Sequence, residues 1–146
     1  MIQSANDYRI NLLELINSKL DLLTNTSGQW RVKGFVDELK NVYPIDFDTK
    51  VVSKIIELML LPIFRQFAQE NQYELYLSSH QNHYPDITLF NPMDNQYIAI
   101  DLKSTYRITS EQVNGMTLGA FTGYFRNRKS NKNVKLPYDS YTAHYV

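Results

Sequence analysis

The chain has 146 residues, of which 43% are hydrophobic, and its fifteen basic and fifteen acidic residues cancel. This balance excludes a protein that binds nucleic acid through an overall basic surface, and the absence of cysteine excludes disulfide bonds and thiolate metal sites. The length suits one ordinary core and no apolar run is long enough to cross a membrane, so we expect a single domain over residues 1–146 without a membrane partner.

The N-terminal part of the chain predicts a helix followed by a short ribbon. Apolar residues between positions 5 and 23 recur at helical spacing, which predicts an amphipathic helix. Residues 29–36 and 41–45 are two short apolar runs on either side of an acidic turn, and we expect them to pair as two strands. Trp30 in the first run is expected to pack on the protein's own core.

A second, longer helix is predicted over residues 48–71, with good N-cap residues at its first two positions. Pro62 lies inside this pattern, so we expect a kink or an interruption there. Glu57 lies on the polar stripe of the helix. The pattern alone predicts that its side chain is solvated and paired with Lys54, three residues earlier.

A β-hairpin is predicted around residues 91–96, because β-branched and aromatic residues flank a cluster of turn-forming residues. If Phe90 pairs with Tyr97, the antiparallel register places Asp86 opposite Asp101. Their Cβ atoms would then lie about 5 Å apart. The sequence therefore predicts two carboxylates that face each other.

Such a pair of acids needs compensation, because like charges opposed across a sheet are destabilising. Either a cation lies between Asp86 and Asp101, or the two share a proton with a raised pKa. Side chains alternate along a strand, so Lys103 projects on the same face as Asp101. Mg²⁺ commonly combines one or two carboxylates with substrate phosphate oxygens, and a lysine can hold a phosphate beside it. The three residues predict a phosphodiesterase site.

The remaining segments are expected to add strands and loops to this hairpin. Strands are predicted at residues 73–77, 104–106, 117–125 and 135–146, and a polar loop at 78–84 lies at the mouth of the predicted site. Residues 112–138 contain no acidic residue, whereas five basic residues fall within ten positions: Arg126, Arg128, Lys129, Lys132 and Lys135. This basic segment, residues 126–135, is either an ordinary solvated loop or a phosphate contact.

Pro85-Asp86 followed by Asp101-x-Lys103 resembles the motif of the PD-(D/E)xK nuclease superfamily. Over residues 28–144 the chain also resembles, in one order, the EcoRV-type type II restriction endonucleases. The segments that carry this resemblance are Asp48-Thr49-Lys50-Val51, Gln81-Asn82-His83-Tyr84-Pro85-Asp86, Ile98-Ala99-Ile100-Asp101 and Thr117-Leu118-Gly119.

The resemblance implies an α/β (α+β) fold of the restriction-endonuclease type, with a mixed central β-sheet flanked by helices and the site at one edge of the sheet. It implies Mg²⁺-dependent cleavage of double-stranded DNA at a specific site, with Mn²⁺ as a substitute, by a homodimer in the bacterial cytoplasm. The ribbon would contribute to the subunit interface, where an exposed Trp30 would contact the partner.

The resemblance also assigns roles to individual residues. Asp86 and Asp101 would bind the metal ion, Lys103 would stabilise the phosphate and orient the attacking water, and Glu57 would support a second ion. The expected DNA contacts are Gln81, Asn82, His83, Ser104, Thr105, Thr117, Arg126, Arg128, Lys129 and Lys132.

Relative to such enzymes the chain is expected to be C-terminally truncated, without the portion that reads the major groove, so we expect weak or absent sequence specificity. Three alternatives stay open at this stage. The chain could be a DNA-binding remnant that does not cut, a repair or junction nuclease of the same superfamily, or a structural domain in which the acids and the lysine form an accidental ion-pair cluster.

Overall fold

The computed structural model describes residues 5–45, 49–80, 82–115 and 125–146. The chain divides into two compact units, Met1–Arg65 and Gln66–Val146. The strand predicted at 117–125 falls almost wholly outside the described residues, as do Gln81 and Thr117. None of the helices within the described ranges is long and apolar enough to span a membrane.

The first unit begins with the predicted amphipathic helix, α1 (Ala5–Ser18), which is followed by a 3₁₀ turn at Leu20–Leu22. Tyr8 and Leu12 are buried and lie one helical turn apart, as the spacing predicts. The α-helix ends earlier than expected. Ser18 donates its hydroxyl to the Leu15 carbonyl at 2.8 Å, and such local bonds compete with a regular helix end.

The ribbon predicted after α1 is confirmed as β1 (Gly34–Val36) paired antiparallel with β2 (Val42–Pro44). Gly34 is required by the close approach of the two strands, because a Cβ atom at this position would lie 2.4 Å from the Tyr43 carbonyl oxygen. The apolar side chains of the ribbon are exposed, and Trp30 is 40% exposed instead of packing in the core.

The second helix, α2 (Thr49–Glu70), is confirmed and runs through Pro62 without interruption. Its buried residues recur at intervals of three and four, which is the spacing of one helix face. They are Leu60, Ile63, Phe64, Phe67 and Ala68.

The described residues of the second unit form a four-stranded sheet. Its strands are β3 (Glu74–Leu77), β4 (Ile87–Asn91), β5 (Gln96–Ile100) and β6 (Tyr141–Tyr145), in the order β3-β4-β5-β6. The first two pairings are antiparallel, and β5 pairs with β6 in parallel. The mixed sheet confirms the predicted α+β fold class. Three successive residues at the end of β5 are buried, so both faces of this inner strand are covered.

Two strand predictions need correction in the second unit. The last strand is shorter than expected, because a 3₁₀ turn at Tyr138–Ser140 precedes it. The prediction that residues 104–106 continue the hairpin strand is wrong. The Asn114 amide donates to the Tyr106 carbonyl at 2.9 Å, so this segment pairs with the chain that follows it and not with the sheet.

Candidate active site

The hairpin that carries the predicted acids has the predicted register. Phe90 pairs with Tyr97, and their rings stack with centroids 4.5 Å apart. Pairing extends one step further, to Asn91 and Gln96, so the turn itself is four residues long. The Asn91 side chain supports this turn, because its Oδ1 accepts the Met93 amide at 2.9 Å.

Asp86 immediately precedes β4 and Asp101 immediately follows β5, so the pairing of Ile87 with Ile100 places the two acids opposite each other. We call residues 86–103 the acidic hairpin. The Leu102 amide donates to Asp86 Oδ2 at 2.7 Å. The Asp101 amide donates to the Tyr145 carbonyl at 2.9 Å, which attaches this end of the hairpin to β6.

The environment of the two carboxylates is only partly polar. Asp101 is buried, with 4% of its surface exposed, and Asp86 is half-buried. Burial raises the pKa of Asp86, and the neighbouring Asp101 carboxylate raises it further, while the Leu102 amide and the Lys103 charge act in the opposite direction. Lys103 Nζ forms an ion pair with Asp101 Oδ2. The predicted convergence of two acids and one lysine is therefore present in the structure.

Asp86 and Asp101 are the residues of the acidic hairpin that could hold a divalent cation, because carboxylate oxygens are the ligands such ions prefer. The Lys103 ammonium already shows that the Asp101 carboxylate accepts a positive charge at this position. Within the described ranges, no three His, Cys, Asp or Glu side chains form a group that could hold a metal ion. An ion bound by Asp86 and Asp101 would complete its coordination with water and phosphate oxygens, which is the usual arrangement for Mg²⁺.

Glu57 lies on α2 in the first unit, apart in sequence from the acidic hairpin. Its Oε2 forms an ion pair with Lys54 Nζ at 2.6 Å, as the three-residue spacing predicts. The Lys54 side chain is exposed, so this pair contributes little to stability. The role of Glu57 at a metal ion stays a prediction.

The residues outside the basic segment that are predicted to contact DNA differ in how exposed they are. Asn82 is exposed and His83 is half-buried in the loop before the acidic hairpin, and the His83 ring lies 4.6 Å from that of His80. Ser104 is half-buried. Thr105 is exposed and donates its hydroxyl to the Asn114 carbonyl at 2.9 Å.

The basic segment is attached by its backbone to the residue pair that precedes Asp86. The Tyr84 amide donates to the Asn133 carbonyl, and the Lys135 amide donates to the Tyr84 carbonyl, both at 2.9 Å. Tyr84 was not singled out from the sequence, because the spacing of residues along the chain carries no signal for this contact. The four basic residues expected to contact DNA, Arg126, Arg128, Lys129 and Lys132, are all exposed.

Lys135, the last cation of the basic segment, is exposed and contacts the sheet. Its Nζ lies 4.7 Å from the centre of the Tyr76 ring on β3. Burial lowers its pKa. Lys135 therefore contacts the sheet through a cation–π interaction.

The site has two opposed acids at strand ends of a mixed sheet and a lysine two residues beyond the second acid. This arrangement is typical of the PD-(D/E)xK class. The family described as restriction endonuclease EcoRV matches residues 26–146. The chain belongs to this restriction endonuclease EcoRV family. It is 36% identical over 135 residues to the type II restriction enzyme EcoRV of Escherichia coli, which covers 92% of this chain and 54% of that enzyme. The chain thus spans about half the length of this curated relative.

Proposed function

We propose that this chain is the catalytic part of a type II restriction endonuclease, which hydrolyses phosphodiester bonds in double-stranded DNA at a specific site in the bacterial cytoplasm. The observation that carries the proposal is the pair of facing carboxylates, Asp86 and Asp101, with Lys103 in an ion pair beside them. Family membership and the relative that is a type II restriction enzyme add support.

Asp86 and Asp101 would hold Mg²⁺ or, as a substitute, Mn²⁺, and Glu57 would support a second ion. The bound ion supplies Lewis acidity and lowers the pKa of a coordinated water. The opposed carboxylates favour this cation because it would offset the burial of the Asp86 charge and its repulsion from Asp101, both of which raise the pKa of Asp86.

Lys103 would donate from its ammonium to the phosphate as negative charge develops on it, and would orient the attacking water. The lysine is well placed for this role, because its side chain is only 23% exposed and already lies beside the acid pair. A charge that is partly removed from water acts more strongly than an exposed one.

DNA would be held by cations and polar groups around the site. The exposed residues Arg126, Arg128, Lys129 and Lys132 would contact phosphates, which position the duplex without reading its sequence. The amide side chains of Gln81 and Asn82 suit the minor groove. His83, Ser104, Thr105 and Thr117 would complete the contact surface.

The active form would be a homodimer that uses the ribbon. A cluster of exposed apolar side chains is unusual on a monomer and marks an interaction surface. The exposed ribbon residues are Phe35, Val36, Leu39, Val42 and Tyr43. Sedimentation of the wild type and of Val42→Lys tests this point, because the charged side chain should shift the protein towards the monomer.

The proposed function is tested by incubating the purified protein with plasmid and Mg²⁺ and sequencing the ends that form. We expect cleavage by the wild type and none by Asp101→Asn, which keeps the shape of the side chain and removes the charge. Binding without cleavage would indicate a DNA-binding remnant, and preference for branched over linear DNA would indicate a junction nuclease. Either result would contradict the proposal.

A further inference from the structure

A completely buried tyrosine lies two residues before the first acid of the site. Tyr84 has 0% of its surface exposed, and its hydroxyl lies 2.7 Å from His144 Nδ1 on β6. His144 Nε2 lies 3.3 Å from the Tyr138 carbonyl oxygen, which can only accept a hydrogen bond. Nε2 therefore carries the proton, and Nδ1 accepts the hydroxyl of Tyr84.

This hydrogen bond belongs to a continuous stack of side chains. The His144 and Tyr138 rings are stacked, with centroids 4.2 Å apart and planes 18° apart. The Arg128 guanidinium lies 4.5 Å from the centre of the Tyr138 ring. Two rings thus connect Arg128, an expected phosphate contact, to the hydroxyl of Tyr84.

The backbone of Tyr84 holds the C-terminal end of the basic segment. It exchanges hydrogen bonds with Asn133 and Lys135, as described above. The basic segment is therefore attached to Tyr84 at two places. The backbone bonds hold the segment near its C-terminal end, and the stacked rings contact it at Arg128. Since Tyr84 is followed by Pro85 and Asp86, both attachments end two residues before the start of the acidic hairpin.

We propose that Tyr84 and His144 are positioning residues that hold Arg128 in a set place relative to Asp86, so that phosphate binding at Arg128 aligns the DNA with the acidic hairpin. The N–H donors of a guanidinium lie in one plane, which suits bidentate contact with a phosphate, and contact with the Tyr138 ring limits the positions that the Arg128 guanidinium can take. The inference rests on the proposed nuclease function and adds to it a coupling between the basic segment and the acids.

The first test compares two variants that each lose one buried hydroxyl. Tyr84→Phe removes the donor to His144, whereas the control Tyr141→Phe removes a hydroxyl of the same aromatic cluster that lies 3.4 Å from Thr88 Oγ1. Misplacement by about 1 Å can lower a rate about 10²-fold. We therefore expect kcat on a duplex substrate with Mg²⁺ to fall about 10- to 100-fold in Tyr84→Phe with little change in KM, and to stay near wild type in Tyr141→Phe.

The acceptor is tested with two substitutions of His144. His144→Asn offers an amide oxygen close to the position of Nδ1, whereas His144→Leu offers no acceptor. We expect His144→Asn to retain much more of the wild-type kcat than His144→Leu. Equal losses in the two variants would show that packing, and not the hydrogen bond to Tyr84, is what matters, and would overturn the proposal.

A double-mutant cycle measures the coupling directly. We expect Arg128→Ala to lower kcat by a smaller factor in the Tyr84→Phe protein than in the wild type, because the arginine is then already misplaced. Factors that simply multiply, or equal kcat in Tyr84→Phe and Tyr141→Phe, would overturn the inference while leaving the nuclease function standing. A wild type that does not cut DNA would overturn both.

Discussion

The two hairpins of this chain differ in what supports them. The ribbon, β1 with β2, pairs three residues of each strand, and its side chains are mostly exposed. The acidic hairpin pairs five residues of each strand and lies between β3 and β6, with most of its side chains buried. The ribbon has no neighbouring strand within the described residues of the first unit.

This difference explains why the acidic hairpin can tolerate repulsion between two opposed acids and the ribbon cannot. An isolated two-stranded hairpin is marginal in water, so the ribbon depends on local bonds. The carboxylate of Asp37 accepts from the Asn41 amide at 2.8 Å, from Asn41 Nδ2 at 3.0 Å and from the Tyr43 hydroxyl at 3.0 Å. The acidic hairpin is held by strands on both sides, and it can therefore carry two opposed acids that would open a less supported pair of strands.

The largest expected effect is loss of cleavage in Lys103→Ala. Removal of one group that stabilises the transition state typically lowers a rate about 10²- to 10³-fold. Lys33→Ala, which removes an exposed lysine just before the ribbon, is the matched control and should cut like the wild type. Initial cleavage rates and unfolding curves of both variants check this prediction. Near-normal turnover in Lys103→Ala would remove the lysine from the mechanism.

The next largest effect is expected on the stabilisation of the protein by a metal ion. It is tested by replacing one carboxylate in each hairpin. Mn²⁺ at 100 times its dissociation constant should stabilise the wild type by about 2.7 kcal/mol. Asp86→Asn should lose most of this stabilisation, whereas Asp37→Asn in the ribbon should keep it. Thermal unfolding with and without Mn²⁺ measures the shifts. Equal shifts in all three proteins would place the ion away from the acidic hairpin.

A smaller effect is expected in the absence of metal. Asp86→Asn should raise the melting temperature, because a neutral amide loses less than a charged carboxylate on burial and also removes the repulsion from Asp101. The amide oxygen can still accept the Leu102 amide. A melting temperature below that of the wild type would show that the charge of Asp86 stabilises the fold.

The pH dependence of this difference follows from the raised pKa of Asp86. Folded Asp86 binds its proton more tightly than the unfolded chain does, so stability is lost as the pH rises from the ordinary carboxyl pKa of about 3.9 to the raised value in the fold. The melting temperatures of the wild type and Asp86→Asn should therefore converge as the pH falls into this range. A difference that is constant with pH would contradict the raised pKa of Asp86.

The smallest effect is expected from Asp37→Ala in the ribbon. Hydrogen bonds from Asn41 lower the pKa of Asp37, so its contribution is present above the ordinary carboxyl pKa and is lost as the pH falls through the lowered value. Hydrogen exchange at the Asn41 amide should become faster, while exchange at the Leu102 amide of the acidic hairpin should not change. Glu38→Ala, a neighbouring exposed acid, is the control. Faster exchange at both amides would mean that the ribbon and the acidic hairpin open together.

Much of the fold could be predicted from the sequence, because it depends on residues that are close along the chain. Helical spacing predicted α1 and α2, and the ion pair of Glu57 with Lys54 followed from the same rule. Turn-forming residues between two apolar runs predicted the register of the acidic hairpin, and therefore that Asp86 faces Asp101. In a hairpin the turn sets the register, so distant residues are not needed to specify it.

Only the tertiary structure decided which segments hold this hairpin and how its surroundings shift the pKa of Asp86. The parallel pairing of β5 with β6 and the bond from Tyr84 to His144, 60 residues further along, join segments whose separation leaves no periodic signal. The strand ends at Ile100, and residues 106–108 bond to residues 112–114 instead of extending it, which alternation alone does not predict. The raised pKa of Asp86 likewise depends on burial, and burial is a property of the packed protein and not of the local sequence.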